Sequence, residues 1–135
     1  MTTTDTVKEA PQPQIFKYEK PDSDKARAVS VLARTELAFM MIQVLREGGE
    51  NRLHSHRHTD GFWFVMSGRV RFYTTGNEVV AELGPGEGIC TPRGFRYWFE
   101  SVGTEELEIL QVEASDTPKR TTIEAFIEDR DLHET

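Results

Sequence analysis

Residues 48–68 read GGENRLHSHRHTDGFWFVMSG. Two glycines open the stretch, His54, His56 and His58 fill its centre, and an aromatic, β-prone run from Gly61 to Met66 leads into Ser67-Gly68. On a strand, side chains two residues apart share a face, with Cα atoms roughly 6.6 Å apart at ~3.3 Å rise per residue. Two imidazoles at that spacing can converge on one cation through bonds of about 2.0–2.1 Å. Three of the four histidines of the chain lie within these five residues, and His58 shares the parity if the strand runs on. The plainer alternative is a solvated His-rich turn beside Arg57 and Asp60. The flanking glycines and the aromatic run favour a site.

Outward from this stretch, short β-prone segments alternate with glycine or proline corners. Leu37 to Leu45 stops at Glu47-Gly48-Gly49. Val70 to Tyr73 stops at Thr75-Gly76-Asn77, and Val79 to Leu83 at Gly84-Pro85-Gly86. Gly88 to Thr91 precedes Pro92-Arg93-Gly94, Phe95 to Glu100 runs to Val102-Gly103, and Leu107 to Val112 closes the set. About seven strands at near-regular spacing mean an all-β sandwich or barrel. Residues 1–14, with Pro11 and Pro13, read as a flexible arm, and 15–120 as the barrel domain. Ile15 to Tyr18 is a candidate edge strand that can pair with a second subunit. The tail, 121–135, reads as a short helix from Thr121 to Leu132. Thr121 and Glu124 make its capping box, and Ile123, Phe126 and Ile127 its apolar face.

The bulk numbers bound the function. The chain has 135 residues, 37% apolar and 29% charged, enough for one domain with a real core. Its formal charge of −7 opposes nucleic acid and anionic membranes, since both need a basic surface. No apolar run approaches the ~20 residues that span a bilayer, and the polar N-terminus does not read as a signal peptide. A single cysteine, Cys90, excludes an internal disulfide framework and reads as a small buried hydrophobe. A cytoplasmic location is the expectation.

Two stretches carry a resemblance. Residues 48–68 resemble the first motif of the cupin superfamily, with Gly48, the His54/His56 pair and Gly68 at the motif's spacing. Residues 86–101, GEGICTPRGFRYWFES, resemble the second motif through Gly86, Pro92 and Gly94, 17 residues further on. The resemblance spans about residues 36–114. It implies a double-stranded β-helix, or jelly-roll barrel, and a divalent metal (Fe, Mn, Zn or Ni) at the barrel mouth. Two ligand positions depart from the pattern. The motif's glutamate falls on Gly61, and its second-motif histidine on Tyr97. Asp60, if a bulge turns it inward, would complete a two-His-one-carboxylate set suited to Fe(II). His58 would instead complete a set of three imidazoles. Tyr97, a neutral phenol, is a poor ligand but a competent proton donor and acceptor.

Parity extends the pocket. Trp63 shares the face of position 61, and Phe99 that of Tyr97, as plain barrel core or as a platform for substrate. Gln43 and Gln111 sit inside apolar strands, so these amides either pair across the sheet or line a polar cavity. Arg96 flanks the Pro-x-Gly turn, where it can hold an anionic group. The resulting expectation is a metal-dependent dioxygenase, lyase or isomerase acting on a small organic acid or aromatic. His54 and His56 would hold the metal, with Tyr97 or His58 as acid and base. The alternatives are a metal-free isomerase, dehydratase or cyclase, and a non-catalytic binder of small molecules. Because small barrels leave edges to cover, a homodimer is also expected.

Overall fold

The computed structural model describes residues 10–118 and 130–132. Among these, alternating side chains and glycine corners give ten strands. They are β1 (Arg27–Arg34), β2 (Ala38–Leu45), β3 (Gly49–His56), β4 (Thr59–Ser67), β5 (Arg69–Thr74), β6 (Glu78–Leu83), β7 (Gly88–Thr91), β8 (Tyr97–Val102), β9 (Leu107–Ser115) and β10 (Arg130–Leu132). A 3₁₀ turn, Thr75–Asn77, links β5 to β6. Two five-stranded antiparallel sheets result, ordered β1-β2-β9-β4-β7 and β10-β3-β8-β5-β6. From β2 to β5 and from β6 to β10 successive strands alternate between the two sheets, while β1–β2 and β5–β6 pair within one; this is the jelly-roll barrel that the two motifs imply.

The period of two decides which residues meet between the sheets. On β4, Gly61, Trp63 and Val65 are buried, while Phe62, Phe64 and Met66 face outward. Leu45, Leu107 and Ile109 join them from the same sheet; Val70, Phe72 and Phe99 oppose them. Trp63 meets Phe99 edge-to-face at 5.0 Å and Phe72 at 5.7 Å, the tilted geometry that ring quadrupoles favour. Gly68 makes the β4–β5 corner at φ +81°, where a Cβ would lie 2.5 Å from the Glu106 carbonyl oxygen. Only glycine avoids both penalties there.

Several expectations change. The helix expected over 121–132 lies mostly outside the described residues, and its last three residues form β10, an edge strand beside β3. Ile15 to Tyr18 is not a strand within this chain; Ile15 is 94% exposed. The edge of the first sheet is β1 instead, which mixed charges concealed in the sequence. Residues of the leading segment still dock. Gln14 exchanges two hydrogen bonds with the backbone of Arg34, and the Tyr18 hydroxyl donates to Glu108 at 2.6 Å. Burial, then that carboxylate, pushes the Tyr18 phenol well above its usual range. The strand expected from Phe95 begins at Tyr97, because the Phe95 amide closes a turn on the Pro92 carbonyl.

Cys90 is exposed rather than buried, on the outward face of β7. Its thiol is nevertheless pushed up by partial burial, with the Asp60 carboxylate adding to the effect. A raised thiol holds less thiolate at a given pH. Cys90 is therefore expected to alkylate more slowly at pH 7.5 than an unstructured cysteine peptide. Asp60→Asn should speed it. Iodoacetamide kinetics followed by mass spectrometry check both statements.

Candidate active site

The mouth-end residues of the two sheets form a polar layer above the aromatic core. His54 and His56 come from β3 and are 1% and 6% exposed; Tyr97 comes from β8, beside His54 in register. The His54 ring lies 4.5 Å from Tyr97 and 5.3 Å from His56, and the His56 ring 6.4 Å from Tyr97. The expected pair of imidazoles and the phenol are thus together, inside the barrel.

His54 is held at a defined angle. Its Nδ1 lies 2.7 Å from the Arg52 carbonyl oxygen. A carbonyl only accepts, so Nδ1 carries a hydrogen and Nε2 faces the interior. There, the Glu50 Oε2 stands 3.0 Å away but off the hydrogen-bonding axis of the ring, so Nε2 is buried with no linear partner. Glu50 reaches this position because β3 departs from regular pairing with β8 between Glu50 and His54.

His58 and Asp60 are not brought to this layer. His58 is half-exposed, with Nδ1 3.3 Å from Asp116. The Asp60 carboxylate accepts from the Arg93 backbone amide at 2.9 Å, and the Arg93 guanidinium donates to Asp116 at 2.7 Å. Arg93 is the main cause that holds the Asp116 carboxyl below its usual range. These residues tie the β3–β4 turn, the β7–β8 loop and the end of β9 together on the surface. The strand parity that turns Gly61 inward turns Asp60 outward. Arg96 is exposed, and its carbonyl accepts from Thr74.

Gly61 shows why the motif's glutamate has no counterpart. A Cβ there would lie 2.5 Å from Thr91 Oγ1 and 3.0 Å from Trp63 Nε1. The Trp63 indole donates to Thr91 at 3.1 Å, so this pair fills the space of the missing side chain. The four-ligand metal set is reduced to two histidines, and among the described residues no three His, Cys, Asp or Glu side chains form a group able to hold a metal ion. Of the usual donors this site keeps the two histidines, with the Glu50 carboxylate beside them, and lacks the motif's glutamate and second-motif histidine. Gly61→Ala is expected to cost about 1–3 kcal/mol by overpacking, partly recovered by adding Thr91→Ala. Urea midpoints of the single and double variants measure this.

The opposite wall carries groups that motif reading missed. Gln43 on β2 donates from Nε2 to Gln111 Oε1 on β9 at 2.7 Å. Gln111 donates from Nε2 to Glu113 Oε2 at 2.6 Å. All three side chains are at most 2% exposed. The two glutamines do pair across the sheet, as one of the two expected outcomes had it. Parity counted from Leu107 along β9 puts Glu113 on the Gln111 face, a signal available in the sequence. Glu50 shares the His54 parity as well, but a regular strand would hold residues four apart roughly 13 Å from each other, and only the irregular pairing of β3 brings them into contact. Phe99 and Trp63 belong to the core beneath this layer.

A cupin domain model matches residues 41–113, more than half of the chain. The chain belongs to the cupin family. Among solved structures, the cupin resembles an uncharacterized Klebsiella pneumoniae protein with a double-stranded β-helix domain. Identity is 21% and TM-score 0.66, covering 92% of this chain and all of the other. KdgF from Halomonas matches at 16% identity and TM-score 0.63, covering 82% of this chain and 97% of that one. The nucleoside dehydratase Pac13 matches at 13% identity and TM-score 0.63, covering 93% and 92%. Streptomyces Pac13 structures with uridine, one with histidine changed to glutamine and one with tyrosine changed to phenylalanine, match at TM-scores of 0.63 and 0.61. At these identities the likeness establishes the fold alone. The search of curated proteins gave no match.

Proposed function

We propose that this cupin is a proton-transfer enzyme, a lyase or isomerase for a small hydroxylated carbonyl compound, that works through side chains rather than a metal. The observation that carries this reading is His54 Nε2. It is a buried ring nitrogen, fixed through Nδ1 by the Arg52 carbonyl, with no linear partner and with Tyr97 packed against the ring. Nucleophile-and-base sites need this arrangement of a base oriented by a third group. The Glu50 carboxylate, 3.0 Å from Nε2, stabilises the imidazolium once a proton is taken up.

In a dehydration, His54 Nε2 removes a proton from the carbon beside the substrate carbonyl. The freed electron pair forms the C=C bond, and the β-hydroxyl leaves as water with the Tyr97 phenolic proton. The proton on His54 then returns to the phenolate, so the net change is loss of water. In an isomerisation the same proton is returned to a different substrate atom. The likeness to a nucleoside dehydratase, studied with a histidine and a tyrosine replaced, supports this chemistry.

The test is ¹H NMR in D₂O with a panel of β-hydroxy aldehydes, ketones and acids. Wild-type protein should exchange the α-hydrogen or release water from at least one compound, at a rate unchanged by EDTA. A protein inert until Fe, Mn, Zn or Ni is added would replace this reading with the metal-dependent one.

The homodimer is proposed on surface grounds. Ile15 and Phe16 of the leading segment are exposed, as are Phe62, Phe64 and Met66 on the outer face of β4. An arm and a sheet face of matching apolar character can be exchanged between two copies. Light scattering on the eluting peak should give twice the 15.4 kDa of one chain. A single-chain mass at micromolar concentration would reject it.

A further inference from the structure

The hydrogen bonds on the wall facing His54 run in one direction and begin at the surface. The exposed Arg27 on β1 donates from Nε to Gln43 Oε1 at 3.0 Å. Gln43 then donates to Gln111 at 2.7 Å, and Gln111 to Glu113 at 2.6 Å. A guanidinium can only donate, and an ionised carboxylate can only accept. Either amide reversed would set donor against donor at Arg27, or acceptor against acceptor at Glu113. The chain therefore has one consistent polarity, set by the guanidinium donor at one end and the accepting carboxyl oxygen at the other.

We propose that Arg27 is a positioning residue of the active site: acting through Gln43 and Gln111, it fixes from the surface how the Glu113 carboxylate is presented to the interior. This deepens the proton-transfer reading and rests on it for its catalytic meaning, since Glu113 would be the carboxylate that the far wall offers to substrate hydroxyls. A hydroxyl donates well to a carboxylate of fixed orientation. No lysine or arginine is among the buried charged side chains of the described residues, so the interior suits uncharged hydroxylated ligands better than carboxylates or phosphates.

The physical test needs no substrate. In full-length ¹⁵N,¹³C-labelled protein, the side-chain amide protons of Gln43 and Gln111 and the Glu113 ¹³Cδ resonance are followed in wild type, Arg27→Met and Arg27→Lys. Assignments come from Gln43→Leu, Gln111→Leu and Glu113→Gln. Arg27 is exposed, so its variants should fold. In Arg27→Met, solvent exchange of the Gln111 amide should rise by about tenfold or more as the amides lose their fixed polarity, and the Glu113 resonance should move. Arg27→Lys, which restores a charged donor, should recover part of both changes. An unchanged Gln111 amide and Glu113 resonance in Arg27→Met would overturn the proposal, because packing alone would then hold the chain. The activity assay separates the two readings. Loss of α-hydrogen exchange in His54→Gln without any effect in Arg27→Met would sink the positioning role and leave the proton-transfer function standing. An active His54→Gln would sink that function, with the NMR result still deciding the chain.

Discussion

His54→Gln is expected to lower α-hydrogen exchange by about 10²–10⁴-fold, the range that positioned general bases contribute. Glutamine is close to histidine in size and keeps an N–H able to donate to the Arg52 carbonyl, which His54 Nδ1 contacts at 2.7 Å. It cannot take up and return a proton at neutral pH. The loss should therefore fall on the chemical step, with the urea midpoint little changed. Tyr97→Phe provides the matching case. Its ring is stacked with Phe95, centroids 6.3 Å apart, and meets Trp63 at 6.1 Å, contacts that phenylalanine retains. Only the hydroxyl is lost, so elimination should fall steeply while exchange of the α-hydrogen, which needs the base alone, falls less. Equal losses in both variants for exchange would place the phenol in the first proton transfer. Exchange at the wild-type rate in His54→Gln would remove His54 as the base.

The same residues show what the sequence made legible. The i, i+2 spacing put His54 and His56 on one face, and the flanking glycines and aromatic run favoured a site over a solvated turn; burial alone does not mark the inner face, since Leu53 and Ser55 are buried as well. Tyr97 was found by motif spacing, and its partner proved to be His54 through the β3–β8 register. Parity put Trp63 and Phe99 on the inner face, where they belong to the core beneath the site. His58 and Asp60 fail for a local reason. The chain turns after His56, and Asp60 is on the outward parity of β4, where Arg93 and Asp116 provide polar partners. Gly61 was visible as a missing ligand, but not its cause, since the Trp63–Thr91 pair that fills the space joins residues 28 apart on neighbouring strands. Parity puts Glu50 on the His54 face, but its contact with His54 depends on a departure from strand pairing that a period-two reading does not contain. The direction of the Arg27–Gln43–Gln111–Glu113 chain arises only when three strands are side by side.

Gln111→Leu is expected to destabilise the fold by about 2–5 kcal/mol, more than the loss of one hydrogen bond, because it removes a buried bond on each side. Gln43 Nε2 loses its acceptor and Glu113 Oε2 its donor, both in a region at most 2% exposed. Each buried polar group left without that partner costs about 1–3 kcal/mol, and leucine returns only part of this by apolar burial. Gln43→Leu should cost less, since its outer partner, Arg27, is exposed and can turn to water. The double variant decides whether the chain acts as a unit. With both amides gone, the group stranded at Gln43 in the single variant no longer exists, so the double should cost less than the sum of the singles by about 0.5–3 kcal/mol. Urea unfolding of the four proteins supplies this coupling energy directly. Strict additivity would mean that the two glutamines are buried independently, and the wall facing His54 would then be a set of separate polar contacts with no direction of its own.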